Sequence, residues 1–442
     1  MSTSPPPTPP AEIGDRRFQQ LTTPTEWIEV YRPGGLHPVH LGDELDRFRI
    51  IRKLGYGSSS TVWLARDNNN DSLVAIKIMV ADAPDAAQEL QMYELISKAP
   101  IEDKFKERIV IPLETFRHDG PNGTHQCLVF PPMGPNVNIL LDELLDEYET
   151  TQPAESSTVL CRSKSILKDT LLGLHCLHSC RIVHADLNPG NMLSSLRQLT
   201  EQDLVDLAKE TVKIPEDEDD PDPYTVSKPA KRLDGKQDKW APDYLCIDQP
   251  LFEHADPSGS GIFKLADLGA AFFFDNPPEK PVTPVALRAP ELVLGCPYDH
   301  TIDIWAFGCL MFEFLTTSHN RLLAVYGMGG QIETDDTHLL FFTEILGHLP
   351  PTLFEKWFRR HRYFGPNLES IRRDVSSGEA STHQIDASPS MEEAFEKQKL
   401  EAMGTEEVAK VLSLMRRCLK YDPKMRPSTA ELLEDEWFKA IE

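Results

Sequence analysis

The stretch His184-Ala185-Asp186-Leu187-Asn188-Pro189-Gly190-Asn191 is short and polar, and it lies between two runs built like buried structure. Upstream, Ile166 to His178 reads as a helix; downstream, Met192-Leu193 is an apolar pair before a long polar stretch. A capping or surface role would account for Asp186 alone. It would require neither an amide at Asn191 nor a second acid at Asp267. The other distinctive pieces follow in order along the chain: Gly55-Tyr56-Gly57, Lys77, Asp267-Leu268-Gly269, Ala289-Pro290-Glu291 and Asp303-Ile304-Trp305.

In that order the pieces resemble the protein kinase superfamily, whose catalytic-loop aspartate receives the substrate hydroxyl's proton and whose asparagine five residues on holds magnesium. The resemblance implies an α+β, bilobal fold with a small β-rich lobe and a larger, mainly helical one. It assigns proton acceptance to Asp186, magnesium to Asn191 and Asp267, and the nucleotide's α and β phosphates to Lys77, which ends Val74-Ala75-Ile76-Lys77. It gives structural roles to His184, which supports the local backbone, to Asp303, which braces the catalytic loop, and to Glu291, which pairs with Arg426. Asn188 stands where the motif has lysine; a neutral amide donates hydrogen bonds but cannot replace that charge. Weak but real phosphotransfer, rising in N188K, is therefore expected. The competing reading is a nucleotide-binding pseudokinase acting as an interaction scaffold, and a small-molecule kinase is a further alternative.

Composition sets outer bounds. With 442 residues, 40% of them hydrophobic, the chain can bury one large two-lobed core or two smaller domains. A formal charge of -25 argues against direct nucleic-acid binding and accommodates a basic protein partner. The eight cysteines show no zinc-like paired spacing, which points to buried thiols in a reducing compartment. No membrane-length apolar span or leader-like segment is present, so a soluble cytoplasmic or nuclear protein is expected.

Prolines at 5, 6, 7, 9 and 10 mark residues 1–24 as a disordered tail, and 25–47 read as an anchored lead-in. The kinase domain is expected over 48–440, with a small lobe to about 130, a hinge near 131–136 and a large lobe beyond. Phe48 to Leu54 reads as a first strand, Gly55 as a tight turn, and Thr61 to Ala65 as the hairpin partner. The loop formed by Leu54, Gly55, Tyr56, Gly57, Ser58 and Ser60 would bring backbone N–H groups to nucleotide phosphates, with Ser60 in place of a third glycine. Ala86 to Ile96 reads as a helix offering Glu89, in preference to Glu94, as the partner of Lys77. Arg108 to Phe116 and His125 to Phe130 read as strands. Val62, Ala75 and Leu193 are the expected adenine contacts.

Asn138 to Glu147 reads as an acidic helix, 151–158 as a polar linker, and Ser165 to His178 as the helix before the catalytic loop, packed through Leu171, Leu172, Leu174 and Leu177. Residues 196–258 form an insertion whose middle, with an acidic run at 216–222 and several prolines, favours a mobile or loosely anchored segment, while Asp234-Gly235-Lys236 and Asp243-Tyr244-Leu245 read as a locally ordered stretch. Thr283 alone makes no regulatory site. With Ala185 in place of the usual arginine, activity without phosphorylation is expected, and T283V is expected to retain most of it. Residues 376–392 read as a polar loop, and Val408 to Leu419 and Ser428 to Trp437 as terminal helices.

Tyr31 to Val39, Ser60-Thr61-Val62-Trp63 and Asp336 to Pro350 are similar to the SR-protein kinase family, which phosphorylates serines in arginine-serine-rich splicing proteins. The resemblance implies ATP and Mg2+ as nucleotide and metal, and a protein substrate, with arginine-serine-rich sequences foremost.

Overall fold

The computed structural model describes residues 16–83, 86–142, 156–207, 209, 212–214, 225–256, 261–317, 321–325, 330–365 and 389–441. The chain divides into two compact units, one of Met1–Ser97, Val110–Pro135 and Leu193–Gly261, the other of Lys98–Ile109, Asn136–Met192 and Ile262–Glu442. They are the β-rich and helical lobes of a bilobal α+β fold. The acidic run at 216–222, residues 151–155, the second half of the helix expected over 138–147, and 376–388 lie outside the described residues.

The β-rich unit is built on a six-stranded antiparallel sheet of β1 (Glu44–Leu45), β2 (Phe48–Tyr56), β3 (Ser60–Asp67), β4 (Leu73–Met79), β5 (Glu114–Gly120) and β6 (Gly123–Phe130), in the order β1-β2-β3-β4-β6-β5. β4 is the most apolar run and is buried from Val74 to Met79, as its interior place in the sheet requires. The expected turn at Gly55 is displaced. Gly55 and Tyr56 still pair with Val62 and Thr61, and the chain reverses through Gly57, whose N–H donates to Ser60 O at 2.9 Å. Arg108 to Leu113 form no strand: Pro112 has no N–H to give to a ladder, and Arg108 belongs to the helical unit, its guanidinium 2.5 Å from Asp169 and its carbonyl accepting from Leu265 N.

The described part of the insertion is ordered, as expected around residues 234–245, and the order extends beyond that stretch. Val226 and Cys246 are buried in one core with Phe48, Ile50, Trp63 and Ile76, while Leu207 and Leu251 close on Ile51 and Leu64. Ala241 and Leu245 join Phe18, Ile28, Tyr31 and Leu36 in a third cluster. Order also begins before residue 25. Phe18 is buried and bridges Arg232, and Arg17 pairs with both Glu29 and Asp238. Local charge and proline content were outweighed by apolar side chains far apart in sequence that bury against one sheet.

The helical unit is organised by Ser156–Ser179, Thr301–Phe314 and Thr405–Cys418. The first starts earlier than expected and takes in 156–158, which form no linker; Leu171, Leu174 and Leu177 are buried on it, whereas Leu172 is only partly so. Thr301–Phe314 is buried on every side, consistent with an almost wholly apolar sequence. Residues 428–437 make two short helices rather than one: Ser428 caps Thr429–Leu433 in a capping box, and Asp435 caps Glu436–Lys439. The expected loop at 376–392 ends in a helix, Met391–Gln398, capped by Ser390. Among the described residues no helix is long and apolar enough to cross a membrane.

Candidate functional site

In the β-rich unit, β4 points Lys77 at the helix Ala86–Lys98, where its ammonium lies 2.9 Å from Glu89 Oε1. Both side chains are buried, and Tyr93 Oη also donates to that carboxylate oxygen at 3.3 Å. Glu89 is thus a carboxylate that the structure brings to Lys77. A Cβ added to Gly55 or Gly57 would meet no atom within 4 Å, and neither glycine has a positive φ. Neither internal packing nor backbone conformation therefore demands glycine there. Tyr56 and Ser58 are exposed, whereas Ser60 is buried at the start of β3.

Ala75 is buried and Val62 and Leu193 half-buried in the same unit. Leu193 precedes Ser194, which exchanges backbone hydrogen bonds with Gly134 and Pro135 at 2.8 and 3.0 Å. A side chain at Gly134 would come within 2.4 Å of Ser194 Oγ, so this break after β6 requires glycine. Leu54 packs beside Ile51, Leu64, Leu207 and Leu251, a structural use the sequence did not reveal.

In the helical unit, the turn at 184–191 holds Asp186 between two amides. Asn188 Nδ2 donates to Asp186 Oδ1 at 3.0 Å and Asn191 Nδ2 to Oδ2 at 2.8 Å. The other end of the Asn188 amide is used as well: its Oδ1 accepts from Gly190 N at 2.9 Å, capping the short turn that Pro189 begins. Burial, with help from the nearby Asp267 carboxylate, holds Asp186 above the usual carboxylate range, against the opposing pull of His184, Asn191 and Asn188. Ala266 N donates to Asn191 O at 2.8 Å, which brings Asp267 alongside; Asp267 is exposed, has φ 63° and accepts from Gly269 N.

Asp303 supports this turn from below. Its Oδ2 accepts from His184 N and faces His178 Nε2, at 2.8 and 2.9 Å, while Oδ1 accepts from Ala185 N at 2.9 Å. Burial opposes its charge, yet these donors hold its carboxyl below the usual range. Glu291 and Arg426 are both buried and meet in a two-pronged pair at 2.5 and 2.8 Å. Sequence reasoning missed Thr283: it is buried, and its hydroxyl donates to Ala185 O at 2.6 Å. Arg288 Nε in turn donates to Thr283 O at 2.7 Å. Nothing local to Thr283 announces this bond, and valine there would leave Ala185 O without that donor.

Among the described residues no cluster of three or more His, Cys, Asp or Glu side chains could hold a metal ion unaided. The Asp267 carboxylate and the Asn191 amide oxygen nonetheless suit Mg2+, a hard cation that takes one or two carboxylates and completes its shell with phosphate and water.

A general protein kinase domain pattern matches residues 48–215 and 251–438. The chain is 31% identical to "Serine/threonine-protein kinase SRPK" of Physarum polycephalum, over 92% of this chain and 90% of that protein. It is 24% identical to "Protein kinase dsk1" of Schizosaccharomyces pombe over 98% of this chain and 88% of that one. Similarity to human "SRSF protein kinase 3" is 34% over 37% of this chain and 28% of the relative.

Proposed function

The chain belongs to the protein kinase family, in its SR-protein kinase branch, and from that premise we propose that it phosphorylates serine in arginine-serine-rich proteins with Asp186 as proton acceptor. It is a serine/threonine-protein kinase; the residue roles and the substrate are the proposal. The observation that supports the roles is the Asp186 carboxylate fixed by Asn188 and Asn191 on a turn whose backbone is bonded to Asp303.

The work of each residue follows from its setting. Glu89 orients Lys77 and balances its charge in a buried site, so the ammonium is positioned for α and β phosphates. The two amides fix both Asp186 oxygens, leaving the carboxylate aligned to accept the serine proton as the hydroxyl attacks. Asn191 and Asp267 would hold Mg2+, which when bound would neutralise phosphate charge. Leu54, Gly55, Tyr56, Gly57, Ser58 and Ser60 carry the phosphate loop, and Val62, Ala75 and Leu193 the adenine contacts. Nothing favours the scaffold alternative: the acceptor, the paired lysine and both magnesium residues are all present.

The net charge of -25 favours a basic substrate, and the names of the relatives add the arginine-serine class. A cytoplasmic or nuclear setting accords with such substrates. The deciding experiment is a peptide array with Mg-ATP comparing arginine-serine repeats with proline-directed and acidic peptides. Arginine-serine peptides should be preferred, with a KM that rises with ionic strength. Lys77→Ala and Asp267→Ala should each cut transfer at least about 100-fold. Equal use of neutral and arginine-rich peptides with no salt effect would refute the substrate assignment, and no transfer above an Asp186→Ala control would refute the enzyme.

A further inference from the structure

Lys53 is the unusual residue of the β-rich unit. It sits on β2 two positions before Gly55, and its side chain is 0% exposed. Its ammonium pairs with Glu26 from the lead-in and lies 3.2 Å from Asp248 Oδ1 in the insertion, while also donating to Cys246 O at 3.2 Å. Tyr31 Oη donates to the other oxygen of Glu26. On its far side the same ammonium lies 4.4 Å from the ring centroid of Tyr56, the exposed residue between the two loop glycines. The backbone repeats the connection, since Gln249 N donates to Lys53 O at 2.8 Å. The next residue, Leu54, packs beside Leu251 and Leu207.

A fully buried lysine on a strand carries a heavy desolvation penalty and persists only where anions and acceptors surround it. Here they come from two segments remote in sequence, and Glu26 and residues 225–250 both lie outside the stretches matched by the general kinase pattern. Lys53 joins them to the Tyr56 ring, where a cation over an aromatic face is attracted by its quadrupole.

We propose that Glu26 and the 246–251 segment brace the phosphate loop through Lys53, a positioning residue that sets nucleotide affinity. The inference rests on the reading of Gly55 to Ser60 as the phosphate loop. It makes the insertion a working part of the ATP site: a signal that loosens residues 246–251 lowers ATP affinity without touching the transfer chemistry.

The test uses the full chain and measures Mg-ATP Kd by titration, with kcat and the KM values for ATP and for peptide. Two variants are compared with wild type. Asp248→Asn removes one anion, and Lys53→Met with Glu26→Gln removes the buried pair together, so that neither charge is left alone. Kd and KM for ATP should rise about threefold in the first and about tenfold in the second. Peptide KM should stay unchanged and kcat within about twofold of wild type. Amide hydrogen exchange over 55–60 should speed up in both. Unchanged ATP affinity in folded Asp248→Asn, or an equal rise in peptide KM, overturns the proposal. Should the double variant not fold, Asp248→Asn decides alone, since its carboxylate is 33% exposed and its loss leaves the Lys53–Glu26 pair intact. Wild-type protein that binds no ATP would refute the phosphate-loop reading instead.

Discussion

Replacing Asn188 probes the catalytic turn most directly, because its one side chain both caps the turn and donates to Asp186. Asn188→Ala removes the cap on Gly190 N, about 1 kcal/mol, and a hydrogen bond to a carboxylate, about 1.5–3 kcal/mol where no water replaces it. Asp186 is half-buried, so solvent recovers part of the second loss, and kcat should fall roughly tenfold. The pH dependence carries the sharper signature. Burial raises the Asp186 carboxyl and the Asn188 bond pulls it down, so deleting that bond raises it further. A proton acceptor works only when ionised; the acid limb of kcat must then move to higher pH. Asn188→Asp keeps an acceptor for Gly190 N but loses the donor and adds a like charge, and it should move the limb the same way. Asn188→Lys restores a donor and a positive charge, so its acid limb should move to lower pH, with transfer above wild type once the charge outweighs the lost cap. Stopped assays with saturating Mg-ATP and peptide between pH 5 and 9 measure all three. Superimposable acid limbs in Asn188→Ala and wild type would refute the assignment of Asp186 as acceptor; equal activity in wild type and Asn188→Lys would refute the electrostatic handicap.

Other outcomes follow from the geometry. Arg426→Met strands a buried Glu291 carboxylate and should cost about 3–5 kcal/mol of stability by denaturant unfolding; an unchanged midpoint would contradict the buried pair. Thr283→Val leaves Ala185 O without its donor and should lower kcat about tenfold, while Thr283→Ser stays near wild type. Equal rates in both variants would remove Thr283 from the catalytic framework. Glu313 is buried, and burial pushes its carboxyl to about 7. The folded state then binds the extra proton between the unfolded value of 4.5 and about 7, so this group subtracts stability as pH rises through that window. Glu313→Gln should melt higher than wild type at pH 8 and close to it at pH 4; a constant difference at both would refute the assignment.

What the sequence disclosed and what it hid divide along the range of the forces involved. The strand Leu73–Met79, the helix bearing Glu89 and the cap at Ser428 rest on periodicity and short-range hydrogen bonding, which neighbouring residues encode. Local order around Asp243-Tyr244-Leu245 was legible, but its partners were not: Val226, Leu245, Cys246 and Leu251 bury against strands and the lead-in, more than 150 residues away, which no local composition encodes. Asn188 is a different case. Asn-Pro-Gly is a legible cap, with proline at the first helical position, yet the position's correspondence to a lysine drew attention to the missing charge rather than to the bond present.

Ala185 shows how the turn dispenses with the arginine that many kinases place there. Its φ of 63° lies in the left-handed region, which costs a residue with a Cβ about 1–2 kcal/mol. Such a conformation persists only when its surroundings determine it. Both of its peptide groups are fastened, the N–H to buried Asp303 and the carbonyl to buried Thr283. Arg288 then ties Thr283 onward, so residues 283–288 reach the catalytic turn through neutral hydrogen bonds and one guanidinium, with no phosphate required as a bridge. A hydroxyl at 2% exposure that already donates to a carbonyl is also poorly placed to accept a phosphoryl group. Unphosphorylated protein should accordingly transfer phosphate, and treatment with a phosphatase should leave its rate unchanged. A requirement for an upstream kinase to gain measurable turnover would refute this account.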